Sequence, residues 1–282
     1  MKIVTAVVNN PQFIEIQYHT LKKYFKGDYE FIVFNDAKSF PDFTNGGDIT
    51  IKTQIEEMCS TLQIQCISIP NEHHRNAISA PSIRCADSMN FMLQYQKAHP
   101  DQYLILDSDM FLVDELDIGK YTPYDAAILL QNRDDKNYFW HGVCYLDFTK
   151  LNNIDLLRWD CTDKTDTGGG MQEWLLNQVP DEDKNTSSNT ELLRNITYVD
   201  NIYFIRHLVS CKWKIHQLPK RLQQNISLIE FLKNDVRNIN DKFFCELYDD
   251  IFLHYRAGCN WRQEGMETHR RLAQTLKNAL IE

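Results

Sequence analysis

Two aspartates, Asp107 and Asp109, directly follow an apolar run in the stretch QYLILDSDMFLV, residues 102–113. Carboxylates this close repel each other unless a cation lies between them or water surrounds them. If the chain stays extended, both side chains point to one face of a strand and Ser108 points to the other. Such a pair forms a hard oxygen site that suits Mg²⁺ or Mn²⁺, which take further ligands from water or a substrate phosphate. A solvated turn or a helix cap is the alternative.

The sequence before this acidic pair predicts an α/β sheet in which the pair ends the fourth strand. β-branched apolar runs predict strands, and apolar residues at near-helical spacing predict helices between them. We expect strands at 2–8, 29–37, 65–70 and 102–107, and helices at 11–27, 51–62 and 83–99. This alternation is typical of a doubly wound sheet, in which ligands bind beyond the carboxyl ends of the strands.

The second half of the chain has a looser pattern, which predicts fewer regular elements. The expected elements are strands at 124–131 and 143–148, a strand followed by a loop over 250–261, a glycine turn and helix over 167–178, and a closing helix over 263–282. A polar run at 181–191 predicts a surface insertion.

Composition limits the possible partners. The formal net charge of −9, without a basic block, argues against nucleic acid binding. No stretch of about 20 apolar residues predicts a membrane span. The eight cysteines include no C-x-x-C pair, and the first residues lack the pattern of a signal peptide. These features predict a cytoplasmic protein with free thiols.

The strand that ends in D-x-D, together with the later stretch LHYRAGCNW, resembles glycosyltransferases of the GT-A fold, and the glycogenin-like retaining families are the nearest. The resemblance implies an α/β fold with a Rossmann-like, mostly parallel central sheet flanked by helices. It also implies one GT-A domain over 1–282, in which 1–115 bind the nucleotide sugar and 116–282 bind the acceptor and carry a C-terminal metal-ligand loop and helix.

The same resemblance implies that His254 joins Asp107 and Asp109 as the third metal ligand. The ion is Mn²⁺ or Mg²⁺, and an imidazole ligand favours manganese. The implied reaction moves a sugar from a nucleoside-diphosphate sugar, with UDP favoured, to a hydroxyl group of a glycan, a protein or a small molecule. Retention of the anomeric configuration is favoured. The donor sugar and the oligomeric state are left open.

Further residues receive roles from the resemblance and from their positions in the predicted elements. The donor-binding candidates are Thr5, Val7, Asn35, Asp36, Arg84, Ser108, Arg256 and Gly258. Candidates for the group that faces the sugar or the acceptor are Asp166, Gln172 and Glu173. Trp140 and His141 are expected to line the acceptor pocket. The structural alternatives are packing for Val7, turn caps for Asn35 and Asp36, and an intrahelical ion pair for Arg84.

Two other functions stay open from the sequence. A sugar nucleotidyltransferase would carry a glycine-rich, basic loop after its first strand, and the stretch VVNNPQFIEIQ has neither glycine nor a basic residue. A non-catalytic glycan-binding protein would not need three metal ligands. Both alternatives can be tested with purified protein.

Overall fold

The computed structural model describes residues 1–74, 80–133, 136–162, 165–180, 184, 191, 196, 198–209, 213–240, 242–260 and 265–281. Trp261 and most of the polar run 181–191 lie outside these residues. Among the helices described, none is long and apolar enough to cross a membrane.

The elements alternate as the sequence predicts in the first half of the chain. The helices are α1 (Pro11–Tyr24), α2 (Ile51–Leu62), α3 (Pro81–Ala98), α4 (Gln172–Gln178), α5 (Lys220–Gln223), α6 (Ile226–Asn234) and α7 (Met266–Ile281). The strands are β1 (Lys2–Val7), β2 (Phe25–Lys26), β3 (Glu30–Asn35), β4 (Gln65–Ser68), β5 (Gln102–Leu106), β6 (Met110–Leu112), β7 (Leu116–Asp117), β8 (Ala126–Arg133), β9 (Lys136–Asp147), β10 (Ile202–Phe204), β11 (His207–Val209), β12 (Glu246–Tyr248) and β13 (Phe252–His254).

Seven strands form the central sheet, in the order β10-β8-β9-β5-β1-β3-β4. The pairs β1–β5, β3–β4 and β8–β10 are parallel, and β9 is antiparallel to β5 and β8. This mixed α/β class with a mostly parallel central sheet confirms the prediction. The strand before the acidic pair is the fifth in chain order because Phe25–Lys26 form a two-residue strand with Leu116–Asp117.

The chain is extended only as far as Leu106 before the acidic pair. Strand β5 is buried along Tyr103–Leu106, which is why its sequence is an unbroken apolar run. The N–H of Asp107 still donates to the carbonyl of Gly142, at 2.8 Å. Ser108 and Asp109 then form a turn, which was the alternative to an extended chain through both aspartates.

Internal contacts divide the chain into two compact units. The first contains Met1–Ala6, Ile69–Asp107 and Gly119–Ile205, and the second contains Val7–Ser68, Ser108–Ile118 and Arg206–Glu282. The predicted division into halves at residue 115 stays a prediction.

The second unit has a small antiparallel sheet of its own, in the order β11-β12-β13-β6. Aromatic and aliphatic side chains of this sheet, of α1 and of α5–α7 form one hydrophobic core, in which Phe13, Phe111 and Tyr255 meet edge to face. Helix α1 begins with Pro11, whose fixed φ and missing N–H suit the first helical position. The strand predicted at the start of 250–261 is Phe252–His254, and it begins at Phe252 because Asp249 and Asp250 adopt positive φ in a tight turn.

Candidate functional site

Asp107, Asp109 and His254 come together, as predicted. Each offers one ligand atom, and the three atoms lie within 4.8 Å of one another. In the described part of the chain this is the one such group of three or more histidine, cysteine, aspartate or glutamate residues. Residues separated by about 150 positions therefore form a possible cation site.

The small antiparallel sheet explains how His254 reaches Asp109. In its register, His254 lies opposite Met110 on one side and opposite Glu246 on the other. Asp109 immediately precedes Met110, so the sheet places its carboxylate beside the imidazole. Because directly opposed residues project to the same face, Glu246 also points toward the ring of His254.

Three contacts fix Asp109. Its Oδ1 lies 3.2 Å from Nε2 of His254. Its Oδ2 accepts a hydrogen bond from the N–H of Gly258, at 2.8 Å, and its carbonyl accepts one from the N–H of Tyr255, at 2.9 Å. The loop after β13 thus holds both the side chain and the backbone of this aspartate.

The electrostatic environment keeps these groups charged. Burial would raise the pKa of Asp109, but His254 and the N–H of Gly258 together hold that pKa below its usual range. Burial would lower the pKa of His254, but Asp109 and Glu246 raise it to about 9. Burial likewise opposes ionisation of Glu246, yet His254, Arg256 and Tyr248 lower its pKa to about 2. His254 therefore lies between two carboxylates that favour its protonated form.

The residues present fit a small divalent cation. Carboxylate oxygens suit Mg²⁺ and Mn²⁺, and an imidazole nitrogen adds affinity for Mn²⁺. Oδ1 of Asp109 is buried and faces Nε2 of His254 at 3.2 Å. A buried carboxylate needs positive charge beside it, which the protonated ring or a divalent ion would supply.

A strained turn presents Gly258 to Asp109. Arg256 and Ala257 have φ of 63° and 52°, a left-handed conformation that costs a residue with a side chain about 1–2 kcal/mol. The guanidinium of Arg237 supports the turn, because it donates to the carbonyl of Arg256 at 2.7 Å and stacks over the ring of Tyr255 at 3.5 Å. Asp235 holds the guanidinium through contacts of 2.7 and 2.9 Å.

Replacing Gly258 with alanine is expected to disturb the site. The added Cβ would lie 2.5 Å from the ring of Phe13 and 3.0 Å from Cβ of Asp109. The ring belongs to the core, so the loop must move, and we expect a loss of about 1–3 kcal/mol in the free energy of unfolding. Urea titration measures the loss. Gly265→Ala measures backbone strain alone, because φ there is +80° and an added Cβ meets nothing within 4 Å, whereas the positive-φ glycines do not include Gly258. A Gly258→Ala variant as stable as the wild type would contradict close packing at Gly258.

In the first unit, Asp107 contacts a histidine. Nε2 of His141 lies 3.5 Å from Oδ2 of Asp107 and 3.3 Å from Sγ of Cys85. Burial would lower the pKa of His141, but Cys85 and Asp107 raise it well above its usual value. The prediction that His141 lines the acceptor pocket stays a prediction, whereas its contact with a metal-ligand candidate is observed.

The donor-binding candidates occupy different surroundings. Thr5 and Val7 are buried in β1, and Oγ1 of Thr5 has no described partner. Oδ1 of Asn35 accepts from the N–H of Ala37, and its amide nitrogen donates to the carbonyl of Lys52, so its hydrogen bonds are those of a turn cap.

Four further donor-binding candidates contact other residues of the protein or are buried. They are Asp36, Arg84, Ser108 and Arg256. Asp36 forms a buried ion pair with Lys38 at 2.7 Å. Arg84 is buried in α3, and Oγ of Ser108 lies 2.9 Å from Sγ of Cys259. Nε of Arg256 lies 3.6 Å from Glu246, and its guanidinium stacks on Phe244 at 4.6 Å. The donor-binding roles of these residues stay predictions.

The three candidates for the sugar-facing group lie in or just before α4. Asp166 accepts from the N–H of Thr167, and the amide of Gln172 donates to the carbonyl of Asn137. Glu173 forms a half-exposed ion pair with Arg158, at 2.7 Å. These contacts neither assign nor exclude a catalytic role, which stays a prediction.

Sequence reasoning missed Glu246, Arg237 and Asn10. Glu246 and Arg237 show no local motif, because their importance depends on which strand or loop they face. Asn10 follows β1 with φ of 45°, and both polar atoms of its buried amide have no partner within the described residues. An NN pair after the first strand, where ligands bind in α/β sheets, was a signal that could have identified it.

The chain resembles solved structures but matches no family model and no curated protein. Among solved structures, the chain is similar to the galactosyltransferase LgtC in complex with donor and acceptor sugar analogues, with 13% identity, a TM-score of 0.47 and coverage of 98% of this chain and 96% of that one. An active-site mutant of LgtC gives 12% identity, the same TM-score and coverage of 99% and 96%.

Proposed function

We propose that the protein is a divalent-metal-dependent glycosyltransferase. It transfers a sugar from a nucleoside-diphosphate sugar, with UDP favoured, to a hydroxyl group of an acceptor. The observation that supports this most strongly is the convergence of Asp107, Asp109 and His254 beyond the buried strand β5.

The chemistry of the three ligands matches what a nucleotide-sugar donor needs. A divalent ion supplies charge that compensates the diphosphate as it leaves. Asp107, Asp109 and His254 would hold this ion, and they leave room for substrate oxygens because they fill only three positions. Asp109 is already fixed by Gly258 and Tyr255, so this carboxylate would need little reorganisation when the ion binds, whereas Nε2 of His254 would have to be free of its proton.

The nucleotide would occupy the polar region after β1 and β3. There the amide of Asn10 offers an unused donor and an unused acceptor, a combination that matches the edge of a nucleobase. Asn9 joins this region to the metal-ligand loop, because its amide nitrogen donates to the carbonyls of Thr44 and Cys259 at 2.8 and 3.0 Å. Buried amide atoms without partners are costly, so a ligand or water is expected to satisfy them.

The acceptor hydroxyl would attack the anomeric carbon of the donor sugar while the diphosphate departs. In the retaining route, which the sequence resemblance favours, a phosphate oxygen of the departing group takes the proton. In an inverting route Asp166 or Glu173 would be the base. Proton NMR of the newly formed linkage distinguishes the routes, since an anomeric configuration opposite to the donor's rejects retention.

The test is the release of UDP from a panel of UDP-sugars by purified protein. We expect release with Mn²⁺, loss of release with EDTA, and recovery when Mn²⁺ is restored in excess. GDP-sugars and CMP-sugars in parallel reactions test the preference for UDP. The midpoint temperature of thermal unfolding should also rise when Mn²⁺ and UDP are both present, because ligands that bind only the folded state stabilise it by mass action.

Two outcomes would replace the proposal. Pyrophosphate release from UTP and a sugar phosphate would identify a nucleotidyltransferase instead. Glycan binding that is equal with Mn²⁺ and with EDTA, without hydrolysis or transfer of any sugar nucleotide, would identify a glycan-binding protein.

A further inference from the structure

Beyond the three ligands, the geometry points to Glu246 as a positioning residue that holds the ring of His254 with Nε2 directed toward Asp109 and the metal. This inference rests on the proposed function, because it requires that a divalent ion binds there. Glu246 lies in no recognisable sequence motif and is not itself one of the three proposed ligands.

The two ring nitrogens of His254 face two different carboxylates. Nδ1 lies 3.2 Å from Oε2 of Glu246, and Nε2 lies 3.2 Å from Oδ1 of Asp109. With the proton of a neutral ring on Nδ1, Nε2 keeps its lone pair for a cation. A histidine that ligates a metal commonly donates its other ring N–H to a carboxylate in this way, which fixes the tautomer and the orientation of the ring.

Glu246 is itself held in place. It lies directly opposite His254 in the β12–β13 pair, so the sheet register sets the distance between them. The hydroxyl of Tyr248 donates to the same Oε2 at 2.6 Å, and Nε of Arg256 lies 3.6 Å from Oε1. The carboxylate is almost fully buried, which strengthens these interactions. The position of the imidazole therefore depends on a fixed partner.

A purely structural role for Glu246 predicts a different result. If Glu246 only stabilised the hairpin, its removal would lower the free energy of unfolding without changing the affinity for metal. A positioning role predicts a lower affinity even where the variant is fully folded. Binding of Mn²⁺ alone, without substrate, separates these two roles.

The experiment is a titration of full-length Glu246→Gln with Mn²⁺, followed by isothermal calorimetry and by electron paramagnetic resonance. Glutamine keeps the shape of the side chain and removes its charge, and its amide can present a donor to Nδ1 and so favour the wrong tautomer. We expect the Kd for Mn²⁺ to rise by roughly ten- to a hundredfold. We also expect the imidazole nitrogen signal in the spin-echo modulation of bound Mn²⁺ to weaken.

Two further variants make the result specific. Glu115→Gln is the matched control, because Glu115 is an exposed carboxylate in the same unit that pairs with exposed Lys26 at 3.1 Å, and its affinity for Mn²⁺ should not change. Tyr248→Phe keeps the carboxylate and removes one hydrogen bond to it, so we expect a smaller loss of affinity with the imidazole signal retained. If Glu246→Gln does not fold by circular dichroism, the affinity of Tyr248→Phe decides.

The outcomes separate this inference from the proposed function. Wild-type protein that binds Mn²⁺ and a folded Glu246→Gln variant that binds it equally well would overturn the positioning role alone. An unchanged affinity of Tyr248→Phe has the same meaning if the glutamine variant is unfolded. Wild-type protein that binds no Mn²⁺ would overturn both.

Discussion

Replacing Asp109 with asparagine should remove tight Mn²⁺ binding and, with it, the release of UDP from a UDP-sugar. We expect a loss of at least about a hundredfold in both, since removal of a direct ligand costs more than removal of a residue that only orients one. Asparagine offers a single neutral oxygen, and this oxygen can still accept from the N–H of Gly258, the bond that Oδ2 makes now. The variant should therefore fold while losing the negative charge that holds the cation.

Calorimetric titration with Mn²⁺ and a UDP-release assay measure the two effects. Asp28→Asn is the matched control because Asp28 is exposed and lies in the same unit, and its substitution removes the same charge. Metal-dependent thermal shifts should disappear in Asp109→Asn and persist in Asp28→Asn. An Asp109→Asn variant that binds Mn²⁺ as tightly as the wild type would exclude the proposed metal site.

The sequence alone could predict the position of Asp107 and Asp109 in the candidate site because that information is local. An unbroken apolar run predicts a buried strand, and a D-x-D directly after it lies where α/β sheets bind ligands. His254 is 145 residues beyond Asp109, so no spacing rule connects them. Only the resemblance of the later stretch LHYRAGCNW to a known family indicates this histidine.

The surroundings of the site could not be predicted because they depend on strand register and on turns. Glu246 in ELYDDIFLHY looks like an ordinary exposed acid on a hairpin, and only the pairing with His254 gives it a partner. Very short strands such as β2 and β7 contain two residues each, too few for a periodic pattern. The turn at Ser108–Asp109 was only one of the alternatives, since the apolar run before it does not decide whether the chain stays extended through the acidic pair.

The buried pair of Arg237 and Asp235 has the largest expected effect on stability. Both side chains are almost completely buried, and the pair makes two charge-assisted hydrogen bonds, at 2.7 and 2.9 Å. In Arg237→Met the carboxylate of Asp235 would stay buried without its partner, and the carbonyl of Arg256 would lose its donor. We expect the free energy of unfolding to fall by about 3–5 kcal/mol, the usual cost of breaking a buried ion pair.

A double variant tests whether the cost comes from the unpaired charge. Asp235→Asn combined with Arg237→Met leaves no buried charge, so urea unfolding should show a smaller loss than the single variant, about 1–3 kcal/mol for the unpaired carbonyl of Arg256. Arg158→Met is the control, since its pair with Glu173 is half exposed and should contribute at most about 1 kcal/mol. If Arg237→Met cost no more than this control, the guanidinium would not be what supports the left-handed turn at Arg256 and Ala257. If it costs several times more, the ion pair maintains that turn, and with it the hydrogen bond from the N–H of Gly258 to Asp109.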